Sequence, residues 1–228
     1  MTDQEKRVKK RERDIKRITR EVQDTIMKIG LETGCGHVAS AMGVAQVLVM
    51  TYYDDPKAIV ILSKGHGALA QYVILTRMGI MAKNALKTYY KDGGLSGHAT
   101  LDQKNGIYAS TGSLGHGLPI GIGYAIANPE KKVVVIMSDG ETQEGSTLES
   151  LQIIKRLKIK NILPVIDVNG WSGFQSVDEE LLPSKYSAYR FYSTKGEGWG
   201  KLENTLDSHY AKVTPEIYKL YRESRGKK

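Results

Sequence analysis

The fold is decided by the stretch KVVVIMSDGETQEG, residues 132–145. Residues 133–137 form a short apolar run rich in β-branched side chains, which predicts a buried strand. Asp139 and Gly140 follow directly, so a carboxylate lies at the strand end beside backbone that a bulky anion can approach closely. A helical pattern over 145–157 comes next, and its amino end would favour a diphosphate at the same place. Because an isolated Asp-Gly pair is usually a simple turn, the site needs a second segment.

That second segment is NILPVIDVNGW, residues 161–171, in which an apolar run again predicts a strand. Asn169 follows Asp139 by 30 residues, the length of one strand–helix–strand crossover, which brings the chain to a neighbouring strand end. The carboxylate and amide oxygens, a loop carbonyl, two diphosphate oxygens and a water would make the octahedral oxygen shell that Mg²⁺ prefers. The alternative is an ordinary Asn-Gly turn.

Strand and helix patterns alternate along the chain and predict an α/β fold, a mostly parallel sheet with helices on both faces. Ligands bind such sheets at the carboxyl ends of the strands, at a switch point in strand order. We divide the chain into 1–30, an amphipathic helix over 4–29 that Gly30 ends and that packs on the domain, and 31–228, the main domain. Further strands are expected at 58–62 and 190–194, and further helices at 38–52, 67–78, 115–127 and 214–225.

Composition and charge exclude several classes of protein. No apolar run approaches the length of a membrane span, and the single cysteine, Cys35, favours a reducing cytoplasm. The net charge of +8 lies at the two ends, +5 in residues 1–20 and +3 in residues 222–228, so the body is neutral. A nucleic-acid partner is therefore not expected, because such proteins carry their basic excess on a folded face.

The chain has five histidines, and four of them follow a glycine in predicted loops. Their spacing does not match a zinc motif. Histidine suits hydrogen bonding and proton transfer to sugar hydroxyls near neutral pH, although a single histidine is more often a packed or surface residue. The four glycine-flanked histidines are His37, His66, His98 and His116, and the fifth is His209.

Four motifs together resemble the amino-terminal domain of transketolases, in the family's order and at its approximate spacing. The resemblance runs from about residue 15 to 180 and resumes at 194. It implies the diphosphate-binding domain of the thiamine diphosphate fold, with thiamine diphosphate and Mg²⁺ (or Ca²⁺ or Mn²⁺) as cofactors. The motifs are Ser63-Lys64-Gly65-His66-Gly67, Ser110-Thr111-Gly112-Ser113-Leu114-Gly115-His116-Gly117, Asp139-Gly140-Glu141-Thr142-Gln143-Glu144-Gly145 and Asp167-Val168-Asn169.

The resemblance also implies roles for the matching residues. The metal ligands would be Asp139, Asn169 and the main-chain carbonyl of Trp171. Glu144 and Glu149 would form an acidic pair at a dimer contact. The histidines around the reacting sugar atoms would be His37, His66, His98 and His209. The cofactor contacts would be His66, Gly112, Ser113, Leu114, Asp139, Gly140, Glu144 and Asn169.

The chain departs from the family pattern at three places. Ser138 stands for the first glycine of Gly-Asp-Gly, Val38 stands for the proline of Gly-His-Pro, and a stretch of the family's sequence is absent near 185–192. The glutamate that activates the cofactor belongs to the family's second, pyrimidine-binding domain. The resemblance therefore implies one half of a split transketolase, an α2β2 assembly that transfers a two-carbon ketol unit from a ketose to an aldose.

Other functions remain open at this point. The Asp-Gly…Asn unit is shared with 1-deoxyxylulose-5-phosphate synthase and with 2-oxo acid dehydrogenases, and the absent stretch would be compatible with a non-catalytic cofactor-binding protein. The Ser-Lys-Gly-His motif favours a transketolase, whose substrate would be a sugar or sugar phosphate.

Overall fold

A computed structural model describes residues 2–183 and 186–226. Six helices and four strands, joined by loops and short 3₁₀ turns, make up this part of the chain. No helix in it is long and apolar enough to cross a membrane. The elements are α1 (Asp3–Thr33), α2 (Val38–Asp54), β1 (Ile59–Leu62), α3 (Ala68–Arg77), α4 (Gly117–Ala127), β2 (Val133–Ser138), α5 (Gly145–Leu157), β3 (Ile162–Val168), β4 (Tyr189–Tyr192) and α6 (Pro215–Gly226).

The four strands form one parallel sheet in the order β1-β2-β3-β4. Alternate side chains of β1 and β2 serve two separate cores, because successive residues of a strand point to opposite faces. Val60 and Val134 pack with α1, α2, α3 and α6, whereas Ile59 and Val133 pack with α4 and α5. The predicted α/β class with helices on both faces is confirmed.

The prediction of a switch point in strand order is wrong for the described sheet. Its order follows the chain without a reversal. Helices still cover both faces, because the chain between β1 and β2 places α3 on one face and α4 on the other. The carboxyl ends of β2 and β3 nevertheless adjoin, with Ser138 paired to Asp167 at the last step of the register.

Helix α1 does not end at Gly30 as expected but continues to Thr33. Gly34, in the left-handed conformation at φ 62°, is the residue that ends it. Gly30 is required for close packing instead, since a Cβ there would lie 2.8 Å from Val38 Cγ2 and 3.0 Å from Val213 Cγ2. Helix α1 therefore packs tightly along α2.

Strand β4 follows β3 in the sheet, with Tyr189 paired to Val165. It begins one residue before the expected strand and ends two residues earlier, at Tyr192. The stretch expected to be shortened, 185–192, overlaps this strand, and its residue 185 lies outside the described residues. The shortening itself stays a prediction.

Candidate active site at the carboxyl ends of β2 and β3

Asp139 lies at the end of β2, fully buried, and organises the adjoining tip of β3. Its Oδ2 accepts hydrogen bonds from the backbone nitrogens of Asn169, at 2.8 Å, and Gly170, at 2.7 Å. Its Oδ1 accepts a bond from the Gly140 nitrogen at 2.9 Å. The strand tips that the sequence predicted to adjoin are thus joined through one carboxylate, beside a cavity of about 270 Å³ lined in part by Asp139 and Asn169.

The carbonyl of Trp171 accepts a hydrogen bond from Lys195 Nζ at 3.1 Å, a contact that the sequence analysis missed. The same ammonium nitrogen lies 3.0 Å from His209 Nδ1. Burial, followed by repulsion from Lys64, lowers the pKa of Lys195 to about 7, while Asp139 and Asp167 act in the opposite direction. A lysine side chain therefore already lies against one of the expected metal ligands.

The donor atoms around Asp139 fit a magnesium ion and a diphosphate. Asp139, Asn169 and the Trp171 carbonyl offer oxygen atoms, the ligands of hard cations. Within residues 2–183 and 186–226, no three His, Cys, Asp or Glu side chains form a metal-binding group of their own, so an ion here would need further oxygens such as those of a diphosphate. Gly140 packs closely against Ser172, since a Cβ there would approach Ser172 Cβ to 3.0 Å.

The loop before α4 supplies the other expected cofactor contacts. Gly112 has a φ of 133°, and a Cβ there would lie 2.9 Å from His98 Cδ2, so only glycine fits beside that ring. Ser113 and Leu114 are exposed in the same loop. Leu114 is thus available to a ligand or a partner, whereas the Ser113 hydroxyl lies 2.9 Å from His116 Nδ1.

Four of the five histidines come together in space. The ring of His37 lies 5.4 Å from His66, 5.7 Å from His98 and 5.0 Å from His209, measured between centroids. His116 is exposed and contacts its own loop instead, so position after a glycine alone does not identify a member of the cluster. These four rings are the ones that the resemblance, and not the spacing, had selected.

Three rings of the histidine cluster, those of His37, His66 and His209, favour the neutral imidazole. Burial lowers the pKa of His37 and, more strongly, that of His66, and it lowers the pKa of His209 to about 3, with Lys195 adding repulsion. His37 also adopts a left-handed backbone conformation at φ 61°, which is uncommon for a non-glycine residue, and its buried Nδ1 has no hydrogen-bond partner within the described chain. A strained backbone and an unpaired buried nitrogen are features that cluster at functional sites.

Two further buried groups connect the loops of the site, and no role was predicted for either of them from the sequence. Glu141 accepts hydrogen bonds from Ser63 Oγ at 2.5 Å, from Ser138 N at 2.9 Å and from Gly115 N at 3.0 Å. Burial raises its pKa, against the effect of these bonds. The Ser138 hydroxyl lies 3.4 Å from Glu141, so the serine that replaces a family glycine is part of this junction.

Lys64, at the tip of β1, forms the second buried group with Asp167, at 2.6 Å from Nζ to Oδ2. Ser193 Oγ donates to the other Asp167 oxygen at 2.6 Å. Lys64 and Glu141 follow buried strands, and Asp167 lies near the end of one. The same pattern predicted Asp139 and would have predicted these residues too.

The expected acidic pair lies on and before α5. Glu144 is half-buried at the start of that helix, and Glu149 is exposed on it. Glu144 lies beside the loop of Gly115, where an added Cβ would approach Glu144 Cβ to 2.8 Å. Apolar side chains are also exposed on this side of the molecule, on and next to α4 and α5: Leu114, Ile120, Ile126 and Leu148.

Comparisons with known proteins agree with this geometry. The family model described as 1-deoxy-D-xylulose-5-phosphate synthase matches residues 2–223. An apulose-4-phosphate transketolase subunit from Actinobacillus succinogenes is 32% identical over 204 residues, which cover 80% of this chain and 74% of the relative. The 6-deoxy-6-sulfo-D-fructose transketolase subunit SqwG of a Clostridium species is 27% identical over 247 residues, 86% of this chain and 90% of SqwG. SqwG thus carries residues without a counterpart in the 228 residues here.

Among solved structures, the transketolase of Campylobacter jejuni superimposes with a TM-score of 0.78 at 21% identity. The match covers 92% of this chain and 43% of that protein, so it shows a shared fold over less than half of a transketolase. Together with the family model and the relatives named as transketolase subunits, it identifies the class of protein. The chain belongs to the thiamine-diphosphate-dependent transketolase and 1-deoxy-D-xylulose-5-phosphate synthase family, whose members include transferases, and it corresponds to their amino-terminal, diphosphate-binding part.

Proposed function

We propose that this chain holds the diphosphate of thiamine diphosphate through Mg²⁺ and forms one subunit of a transketolase-like enzyme. The observation that carries the proposal is the set of oxygen atoms around Asp139, next to a cluster of four histidine rings. Ca²⁺ or Mn²⁺ would suit the same oxygen ligands. The reaction would move a two-carbon ketol unit from a ketose to an aldose.

The residues around the metal would bind and orient the cofactor. Asp139, Asn169 and the Trp171 carbonyl would hold the ion, and the main chain at Gly140 would lie against the diphosphate. Lys195 would leave the Trp171 carbonyl and donate to a diphosphate oxygen, and that anion would raise its pKa from about 7. Glu141 and the Lys64–Asp167 pair would keep the loops in place without touching the substrate.

The histidines would handle protons and oxyanions of the sugar. When bound, thiamine diphosphate supplies the carbon that takes up the two-carbon unit, so the cofactor and not the protein carries out the bond-breaking chemistry. His37, His66 and His209 are neutral near pH 7, because burial lowers their pKa, so each can donate one hydrogen bond and accept another. His98 faces His37 and completes the ring of polar groups around the substrate.

A second subunit would supply the pyrimidine-binding half. Support comes from the relatives named transketolase subunits, one of them 32% identical. Self-association, to an α2β2 assembly, would use the exposed apolar side chains of α4 and α5 with Glu144 and Glu149 nearby. The assembly would work in the cytoplasm, in keeping with the unpaired Cys35.

The second candidate is a 1-deoxy-D-xylulose-5-phosphate synthase subunit, which the matching family model favours. The two functions differ in the donor, because that synthase takes its two carbons from pyruvate and releases CO₂. The test is to co-express the chain with the protein of the adjacent reading frame and to supply an aldose with either a ketose or pyruvate. Transfer of a ketol unit from the ketose to the aldose without CO₂ release supports the transketolase. Release of CO₂ in the reaction with pyruvate, and no transfer from the ketose, supports the synthase.

A further inference from the structure

Four basic residues from the two ends of the sequence, Arg11, Lys16, Arg20 and Arg225, line one groove that the proposed function does not use. Helix α6 packs on α1, where the Arg225 guanidinium donates to the Gln23 amide oxygen. A cavity of about 700 Å³ lies between these helices and α2. We call it the basic groove; its lining includes Arg11, Thr19, Arg20, Gln23, Gln46 and Arg225.

Two arginines of the basic groove have a guanidinium group that could bind an anion. Arg20 is half-buried and forms no ion pair within the described part of the chain. Arg225 lies over the Tyr221 ring at 4.8 Å, and its buried Nε has no hydrogen-bond partner among the described residues. Arg11, in contrast, is held by Asp54 at 2.7 Å. A buried, unpaired guanidinium nitrogen is costly, so a bound anion at this place would stabilise it.

Thr19 gives an independent sign of a ligand. The hydroxyls of Thr25, Thr33 and Thr51 each donate to the carbonyl four residues earlier in their helices. Thr19 is only 6% exposed, yet its hydroxyl has no partner in the described structure and the residue lines the groove. An unsatisfied buried hydroxyl costs free energy that a polar ligand would recover.

The composition of the groove selects a small ligand over a polyanion. Glu12 and Glu197 also line it, so its potential is not uniformly positive, as a nucleic-acid surface would require. The Thr19 hydroxyl and the Gln46 amide suit hydroxyls, whereas Arg20 and Arg225 suit a phosphate. From this juxtaposition we infer that the basic groove binds a small phosphorylated, hydroxyl-bearing compound, at a site separate from the catalytic one.

The groove is one loop away from the candidate active site. Glu197 lines the groove, and Lys195, two residues earlier, contacts the Trp171 carbonyl and His209. A ligand in the groove would thus contact the segment that carries Lys195, which makes the groove suited to regulation.

Isothermal titration of the full chain with ribose 5-phosphate tests the inference, with ribose, inorganic phosphate and a single-stranded oligonucleotide as comparison ligands. Arg20→Ala and Thr19→Val should each weaken ribose 5-phosphate binding, the first by about tenfold or more, because a hydrogen bond to a charged group is lost. Lys28→Ala, which removes an exposed cation of α1 that pairs with Glu32 outside the groove, should leave it unchanged. Circular dichroism would verify that the variants fold.

Three results would overturn the inference. The first is the absence of ribose 5-phosphate binding to the wild-type chain. The second is binding that Arg20→Ala and Thr19→Val leave intact, or that His37→Ala alone abolishes, since the ligand would then lie in the histidine cluster. The third is tight binding of the oligonucleotide with none of the sugar phosphate, which would assign the basic ends to nucleic acid.

Discussion

At the scale of single residues, burial sets the charge states around the site. Lys195 is 2% exposed, and its pKa falls from 10.5 to about 7. Between those values the unfolded chain binds a proton that the folded chain does not, so this residue makes stability rise with pH, by up to about 1.4 kcal/mol per pH unit. Below pH 7 the full cost of burying the charge is present.

Lys195→Met should therefore remove a pH-dependent cost. We expect the variant to gain stability relative to the wild type at pH 7 and to lose that advantage steadily toward pH 9. Urea denaturation of both proteins at pH 7, 8 and 9 measures this difference. A difference independent of pH, or one growing with pH, would contradict the lowered pKa.

Glu141 is a second residue whose chemistry can be tested alone. Its carboxylate faces only donors, from Ser63, Ser138 and Gly115. Glu141→Gln would turn an amide NH₂ toward those donors and leave polar groups unpaired, at a cost of about 1–3 kcal/mol in the free energy of unfolding. Chemical denaturation measures it, with Glu149→Gln on the exposed side of α5 as the matched control. Equal stabilities of the two variants would contradict this account.

At the scale of elements, the sequence predicted each helix and strand of the sheet to within a few residues, because apolar periodicity reflects which face is buried. It failed at Gly30. A glycine late in a helical pattern usually ends the helix, and only the tertiary contact with Val38 and Val213 shows why this one does not. Contacts between elements far apart in sequence leave no local pattern, and the strand order without a reversal was missed for the same reason.

Gly30→Ala separates helix propensity from packing. Propensity alone would stabilise α1 by about 1 kcal/mol, whereas the added Cβ meets Val38 Cγ2 at 2.8 Å and should instead destabilise the chain by about 1–3 kcal/mol. Gly123→Ala in α4, where an added Cβ meets nothing within 4 Å, should be neutral or stabilising. Thermal unfolding of both variants decides whether helix propensity or packing dominates at Gly30. A higher stability of Gly30→Ala than of the wild type would refute the tight α1–α2 contact.

At the scale of the whole molecule, the position of the candidate site was predictable, whereas the contacts between the residues within it were not. Parallel strands end at one edge, so Asp139 and Asn169 were expected together from their spacing alone. The partners that reach them from elsewhere, above all Lys195 and His209, come from the irregular chain after β4. Such residues carry no periodic signal, and family resemblance identified only His209 among them.

Calorimetric titration of thiamine diphosphate tests the central claim, that Asp139 and its neighbours hold a metal-bound diphosphate. The wild-type chain should bind the cofactor in the presence of Mg²⁺ and lose most of that affinity with EDTA. Asp139→Ala should bind no better with Mg²⁺ than without it, while Asp178→Ala, at an exposed site on a short turn, should behave as the wild type. Unchanged, metal-dependent affinity in Asp139→Ala would contradict the assignment of this edge of the sheet as the cofactor site.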